Sequence, residues 1–272
     1  INGTQALSIA AGHGTYSAGR VQTPTLAMVC ARYWENRRFT PETYWQLHIA
    51  ADTGVDIPSF VINDGDVLGL VGNNGAGKTT FFRLILDLLD ADRGSVTIDG
   101  ANPAESEDWK AGVGAYIDEG FLIDFLTPEE YFEFVGKVNG MSRDQVAERL
   151  TVFERFMAGE VMGQKKYIRD FSAGNKQKVG IVSALLSRPK TVILDEPFNF
   201  LDPSSQILLK KLLVDYAAQE HATILVSSHN LQHTIDISTR VALLEHGQII
   251  KDLPNEGGSA ESELESYFEV SE

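Results

Sequence analysis

This chain is short of sulfur, of positive charge and of long apolar runs, and each shortage removes a class of function. Cys30 is the one cysteine in 272 residues, which excludes an internal disulfide or a thiolate metal cluster built from this chain. Apolar neighbours at helical spacing make it a small buried hydrophobe rather than a nucleophile. Such cysteine usage points to a reducing, cytosolic compartment. Lys and Arg total 23 against 38 Asp and Glu, for a formal charge of −15. So acidic a chain is not a general nucleic-acid binder, because neutralising phosphates takes clustered Lys and Arg. Nothing approaches the ~18–20 uninterrupted apolar residues that cross a bilayer. No basic start followed by an apolar core marks a secretory signal. A membrane role would therefore run through a partner chain. Internal repeats, low-complexity tracts and heptad runs are missing too.

What is present is ordinary in bulk and uneven in distribution. Apolar content of 43% and charged content of 22% suit a globular protein, with room for one large domain or one domain and an appendage. Residues 1–50 hold four arginines against two glutamates, so the total of −15 leaves −17 on the rest. That change of sign near residue 50 is the first sign of a composite chain. From residue 55 strand-like and helix-like segments alternate. Residues 67–71 are an apolar run ending in a Gly-rich turn, followed by a helical stretch over 79–89. Residues 96–98 read as a strand closed by Asp99-Gly100, a hairpin-type turn. Residues 128–160 are mainly helical, entered at Thr127-Pro128-Glu129-Glu130, close to a capping box with Thr127 as cap. A capped helix over 171–186 begins at Ser172. Residues 192–194 and 223–226 are continuous apolar runs, as in a sheet buried on both faces, with a helix over 204–218 between them. This alternation predicts an α/β core with a parallel sheet. The acidic tail after Pro254 holds one short helix, 262–269, and is otherwise loosely held.

Gly72-Asn73-Asn74-Gly75-Ala76-Gly77-Lys78-Thr79-Thr80 lies between a strand and a helix, the context a phosphate loop requires. Its glycines let backbone N–H groups close around an anion without Cβ obstruction, and the following helix adds its positive end. Lys78 is placed to bind β- and γ-phosphates, and the Thr79 hydroxyl to ligate Mg²⁺. Thr191-Val192-Ile193-Leu194-Asp195-Glu196-Pro197 puts two carboxylates at the end of a buried strand. Asp195 suits the magnesium hydration shell, and Glu196 can orient and deprotonate the water that attacks the γ-phosphate. Alone, the first motif could be a Gly-rich turn and the second a helix cap; paired, they outweigh those simpler readings.

These residues resemble the Walker A and Walker B motifs of ATP-binding cassette proteins, over about residues 55–253. The resemblance implies a P-loop NTPase core with a parallel sheet, a helical subdomain at about 120–175, and further site residues. Phe171-Ser172-Ala173-Gly174-Asn175-Lys176-Gln177-Lys178 is similar to the family signature, keeping its serine and second glycine; Ala173 replaces the first glycine. By resemblance, Ser172 and Gly174 contact the γ-phosphate held by an opposite subunit, and Gln177 joins the nucleotide-binding set. A serine opening a helix does offer a hydroxyl and free N–H groups to an anion; read alone, Ser172 is simply an N-cap. His229, after Val226-Ser227-Ser228, resembles the switch histidine that touches the γ-phosphate. Asp202, in Asn199-Phe200-Leu201-Asp202, resembles the D-loop aspartate at the dimer seam; a role as helix cap before Pro203 is compatible with that. Tyr116-Ile117-Asp118-Glu119 aligns with the Q-loop, which puts Glu119 where the family has glutamine, as a candidate magnesium ligand. Residues 120–170 would receive the membrane partner. Their aromatic cluster (Phe121, Phe125, Tyr131, Phe132, Phe134) is core, contact surface or both, core being the default.

The N-terminal part departs from that family. Residues 5–50, from Ser17-Ala18-Gly19-Arg20-Val21-Gln22-Thr23-Pro24-Thr25-Leu26 to Phe39-Thr40-Pro41-Glu42-Thr43-Tyr44-Trp45, resemble a segment of type IA DNA topoisomerases, in which the arginine matching Arg20 lies near the active site. Read from the residues, Thr23 caps and Pro24 starts an amphipathic helix whose apolar face is Leu26, Val29, Cys30 and Tyr33. Arg32, Arg37 and Arg38 form its solvated, basic face. The topoisomerase family's tyrosine and acidic metal-binding motifs are absent, so the organisation expected is a topoisomerase-like segment at 1–52, a cassette at 53–254 whose first, antiparallel strands are truncated or replaced, and an acidic tail at 255–272. A hairpin over 46–62 could stand in for those strands, with Trp45 or Tyr44 as the aromatic that stacks on adenine.

The function implied by the cassette resemblance is Mg²⁺-dependent ATP hydrolysis in a bacterial transporter. Lys78, Glu196 and His229 would be catalytic, in a homodimer or cassette heterodimer closing head-to-tail over two ATP. Separate transmembrane permease subunits would hold the protein at the cytoplasmic face of the membrane. A soluble cassette ATPase of translation or repair is weaker, since those relatives usually carry tandem cassettes, coiled-coil insertions or zinc cysteines. Two further functions compete with it, a DNA-binding fragment and an inert chimera with an exposed sheet edge. Strand cleavage needs a tyrosine nucleophile held by its own domain. The purified chain is therefore expected not to relax supercoiled plasmid in Mg²⁺, and a single-strand DNA titration across salt to give no salt-dependent binding.

Overall fold

The computed structural model describes residues 60–270. The Thr23-capped helix, Cys30, Tyr44, Trp45 and nearly all of the expected hairpin over 46–62 lie outside the described residues. Among those, the elements run β1 (Val67–Val71), α1 (Lys78–Ile85), β2 (Val113–Tyr116), α2 (Pro128–Val138), α3 (Arg143–Thr151) and α4 (Glu154–Met157). They continue with α5 (Ala173–Leu185), β3 (Thr191–Leu194), α6 (Pro203–Glu220), β4 (Thr223–Ser228), α7 (Leu231–Ile235), β5 (Arg240–Glu245), β6 (Gln248–Pro254) and α8 (Glu261–Val270). One sheet collects the strands in the order β2-β3-β4-β1-β5-β6. The first five in that order are mutually parallel, and β6 returns antiparallel along β5.

The apolar runs form central strands because both faces of the sheet are covered, so nearly every side chain in them is buried. Alternation then sorts neighbours to opposite faces. Val67, Val192, Leu194, Ile224 and Val226 face one cluster with α5, α6 and the α2–α4 region, where Phe132, Phe153 and Met157 are buried. Leu68, Leu70, Ile193, Leu225 and Leu244 face the other, with Phe81 and Phe82 of α1, Ile98 and Trp109. The α/β architecture expected from the sequence is thus present, with its parallel sheet.

Local signals decide most element ends. Thr127 and Glu130 form a complete capping box at α2, and Ser142 with Gln145 forms a second at α3. α1 stops at Ile85, short of the expected 89, because Asp87 adopts φ 53° and the Leu88 N–H turns back to the Arg83 carbonyl at 2.8 Å. That is a helix-ending left-handed motif. The strand expected at 96–98 is reduced to one bridge, Ile98 with Ala101, around Asp99 and Gly100 at positive φ. The turn forms where its signal lies, but no ladder extends from it. Within the aromatic cluster, Tyr131 and Phe132 are core, whereas Phe121 and Phe134 are about half exposed.

The tail is the clearest departure from expectation. Ala260 and Leu264 are buried against Val71, Ile235, Val241 and Leu243. The Tyr267 hydroxyl donates to Glu245 Oε2 at 2.6 Å, and Lys251 pairs with Glu263 at 2.7 Å. An acidic composition suggests a loose tail, but a few apolar residues at helical spacing suffice to dock α8 on the β5 side of the sheet. Leu264→Ala is expected to lower the unfolding free energy by about 2–5 kcal/mol in urea denaturation, whereas a loosely held tail would leave it unchanged.

Candidate active site

The loop between β1 and α1 turns on two glycines in the left-handed region, Gly75 (φ 85°) and Gly77 (φ 109°). Gly77 is the N-cap of α1, where a side chain would strain the entry to the helix. Gly72 is required by space instead, since a Cβ there would stand 2.3 Å from the Leu244 carbonyl oxygen. The β5–β6 turn braces the loop, with the Gly247 N–H donating to the Ala76 carbonyl at 2.8 Å. Asn73 and Asn74 are exposed, Ala76 is buried and Thr80 is half-buried. The first N–H groups of α1 have no intrahelical partner, which suits an anion.

Lys78 opens α1 with a buried side chain whose Nζ donates to the Gly72 carbonyl at 2.7 Å and pairs with Glu196 Oε1 at 3.2 Å. The Thr79 hydroxyl donates to Asp195 Oδ2, and the Ser227 hydroxyl to Asp195 Oδ1. Burial pushes the Asp195 carboxyl above its ordinary range; those two hydrogen bonds and the Lys78 charge oppose the rise, and Glu196 adds to it. Glu196, just past β3, sits at φ 46° with its N–H donating to Ser227 Oγ at 2.8 Å. Its Oε2 lies 2.8 Å from His229 Nδ1 and also accepts the His229 N–H at 3.3 Å. One carboxylate is thus held between an ammonium and an imidazole, beside a hydroxyl–carboxylate pair of the kind that ligates a divalent cation.

The signature and D-loop residues form a second group. Ser172 caps α5, its Oγ accepting the Asn175 N–H at 3.3 Å, and is itself exposed. Gly174 lies so close to the D-loop that a Cβ would stand 2.5 Å from the Phe200 carbonyl oxygen. Asp202 caps α6, accepting the Ser204 and Ser205 N–H groups at 3.0 Å. Hydrogen bonds from these two serines, led by the Ser204 hydroxyl, hold its carboxyl well below the usual carboxylate range. The helix-cap reading of Asp202 is therefore realised.

Two of the expected site residues make contacts that their sequence context does not announce. Gln177, assigned to the nucleotide, is turned inward: its Nε2 donates to the Glu196 carbonyl at 3.1 Å and its Oε1 accepts the Tyr116 hydroxyl at 3.2 Å. Glu119, assigned to magnesium, pairs with Lys176 at 3.0 Å. Among the described residues no group of three or more His, Cys, Asp or Glu side chains is gathered as a metal site. Sequence reasoning missed Ser227 as the hydroxyl that ties Asp195 to Glu196; a serine ending a buried apolar strand was the available signal. It also missed Tyr116, which periodicity presents only as core.

Comparison with known proteins agrees with this geometry. A family model described as ABC transporter matches residues 55–199, and one described as DNA topoisomerase matches residues 1–66. The uncharacterized ABC transporter ATP-binding protein YdbJ of Bacillus subtilis is 32% identical over 73% of this chain and 64% of its own length. The chain thus spans a little under two thirds of that relative. The ABC transporter ATP-binding protein NatA of the same organism is 32% identical over 71% of this chain and 78% of its own. A solved structure described as the ATP binding subunit of an ABC transporter is 28% identical, covers 78% of this chain and 91% of its own, and superposes with a TM-score of 0.69. With a family model over more than half its length and a phosphate loop, paired carboxylates and histidine gathered at one sheet edge, the chain belongs to the ABC transporter family.

Proposed function

We propose that this chain is the ATP-binding and ATP-hydrolysing subunit of a bacterial ABC transporter. The observation that carries this reading is the convergence of Lys78, Thr79, Asp195, Glu196 and His229. The residues present fit Mg²⁺ and a nucleoside triphosphate: Gly75 and Gly77 turn the loop at positive φ onto the N-terminus of α1, and Thr79 with Asp195 offers oxygen ligands. Mg²⁺ held there would neutralise charge developing on the β- and γ-phosphate oxygens. Lys78 would exchange its contacts with Gly72 and Glu196 for phosphate oxygens. Glu196 would then be free to accept a proton from the attacking water, with His229 orienting its carboxylate. Glu119 approaches the metal only if its pair with Lys176 opens.

Two copies, or this chain and a second cassette, would close head-to-tail so that exposed Ser172 and half-buried Gly174 complete the partner's site. The exposed N-terminus of α5, at Ser172 and Ala173, supports this. Among the described residues no helix is long and apolar enough to cross a membrane. In this reading separate permease subunits carry the substrate, with this chain at the cytoplasmic membrane face. The two family models overlap at residues 55–66. This supports reading the chain as a junction, with a topoisomerase-derived N-terminal segment followed by the cassette.

Purified protein is expected to hydrolyse ATP only with Mg²⁺. Lys78→Ala should abolish the activity, and Glu196→Gln should lower kcat by about 10²–10⁴-fold while allowing an ATP-dependent dimer to accumulate in size-exclusion chromatography. Persisting hydrolysis in Lys78→Ala would sink the proposal.

A further inference from the structure

Glu196 carries its carboxylate on a backbone that no regular element supports. It lies past the end of β3, at φ 46°, a conformation that L side chains rarely adopt. Its orientation depends on what holds its two peptide groups. Ser227 holds the N–H side. The carbonyl accepts the Asn199 N–H at 3.1 Å within its own loop, and Gln177 Nε2 at 3.1 Å from α5. Gln177 is the only side chain from another element among these partners of the carbonyl.

The amide of Gln177 is itself fixed. The residue is 6% exposed, and its Oε1 accepts the hydroxyl of Tyr116, the last residue of β2 and 3% exposed. The Tyr116 ring lies against α5 at Gly180, three residues on from Gln177 and therefore on the same helical face. A Cβ at position 180 would come within 2.1 Å of that ring. Glycine in mid-helix is otherwise unfavourable, and here its absence of a side chain sets how far the tyrosine hydroxyl reaches. The residues after Tyr116 grip both neighbouring helices, Asp118 pairing with Arg83 of α1 at 3.2 Å and Glu119 with Lys176 of α5 at 3.0 Å.

We infer that Gln177 and Tyr116 are positioning residues for hydrolysis: through the Glu196 carbonyl they hold the carboxylate between Lys78 and His229. The inference rests on the ATPase reading above and deepens it. The helix whose N-terminus bears Ser172 and Gly174 is thereby connected to the catalytic carboxylate of its own subunit. A displacement of α5 against the end of β2 reaches Glu196 through one amide. Both ends of the Gln177 amide are taken up by Glu196 and Tyr116, so its loss acts on the chemical step rather than on nucleotide binding.

Steady-state ATPase measurements on Gln177→Met and Tyr116→Phe test this. Methionine keeps the volume and removes the donor; phenylalanine keeps the ring on Gly180 and removes the hydroxyl. Gln177→Met is expected to lower kcat about tenfold or more, and Tyr116→Phe several-fold, with KM for ATP changed less than about twofold. In a Glu196→Gln background, Gln177→Met should leave ATP-dependent dimerisation intact, a property that mere damage to α5 would lose. A wild-type kcat in both single variants overturns the inference, as does a kcat loss matched by loss of dimerisation. Absence of hydrolysis by the unmodified chain would instead overturn the ATPase reading, and this inference with it.

Discussion

The site exists because β1, β3 and β4 are parallel neighbours buried on both faces. Parallel strands finish at the same edge of a sheet, and adjacent ones are only ~4.8 Å apart. The register places Val71 beside Ser228 and Leu194 beside Val226. The phosphate loop, the Asp195–Glu196 pair and His229 therefore leave the sheet within reach of one another, although the loop lies more than a hundred residues before the others in the chain. Ligands at the carboxyl edge of a parallel sheet follow from the same geometry.

Burial beneath that edge shapes the electrostatics above it. Lys78 and Asp195 are both nearly inaccessible to water, and neither is left unpaired. Placing Glu196 beside Lys78 offsets part of the desolvation of each. The arrangement is satisfied as it stands, with donors matched to acceptors through Ser227 and the Gly72 carbonyl.

A second set of contacts ties the sheet to the helical region. α5 lies against β2 through Tyr116 and Gly180, and against the D-loop through Gly174 and the Phe200 carbonyl. Each close approach leaves no room for a Cβ. The helix that presents the signature residues is thus seated by two glycines, Gly174 and Gly180, whose spacing reads from sequence as an ordinary helical stretch. Phe200 itself is 72% exposed, beside this seam.

The sequence alone determined the chemistry and the order of the elements. Glycines with a lysine, carboxylates after an apolar run and a serine before a helix are local patterns, and local patterns survive in one dimension. The same holds for the Thr127 cap and for the strands, whose unbroken apolar runs announced burial on both faces. Only the tertiary structure decided which polar groups those residues face. Gln177 meets the Glu196 carbonyl, Glu119 pairs with Lys176, and an acidic tail is docked by Leu264. Each of these depends on a partner distant in the chain, and hydrogen bonds, ion pairs and apolar contacts select by distance in space, which no spacing in sequence encodes.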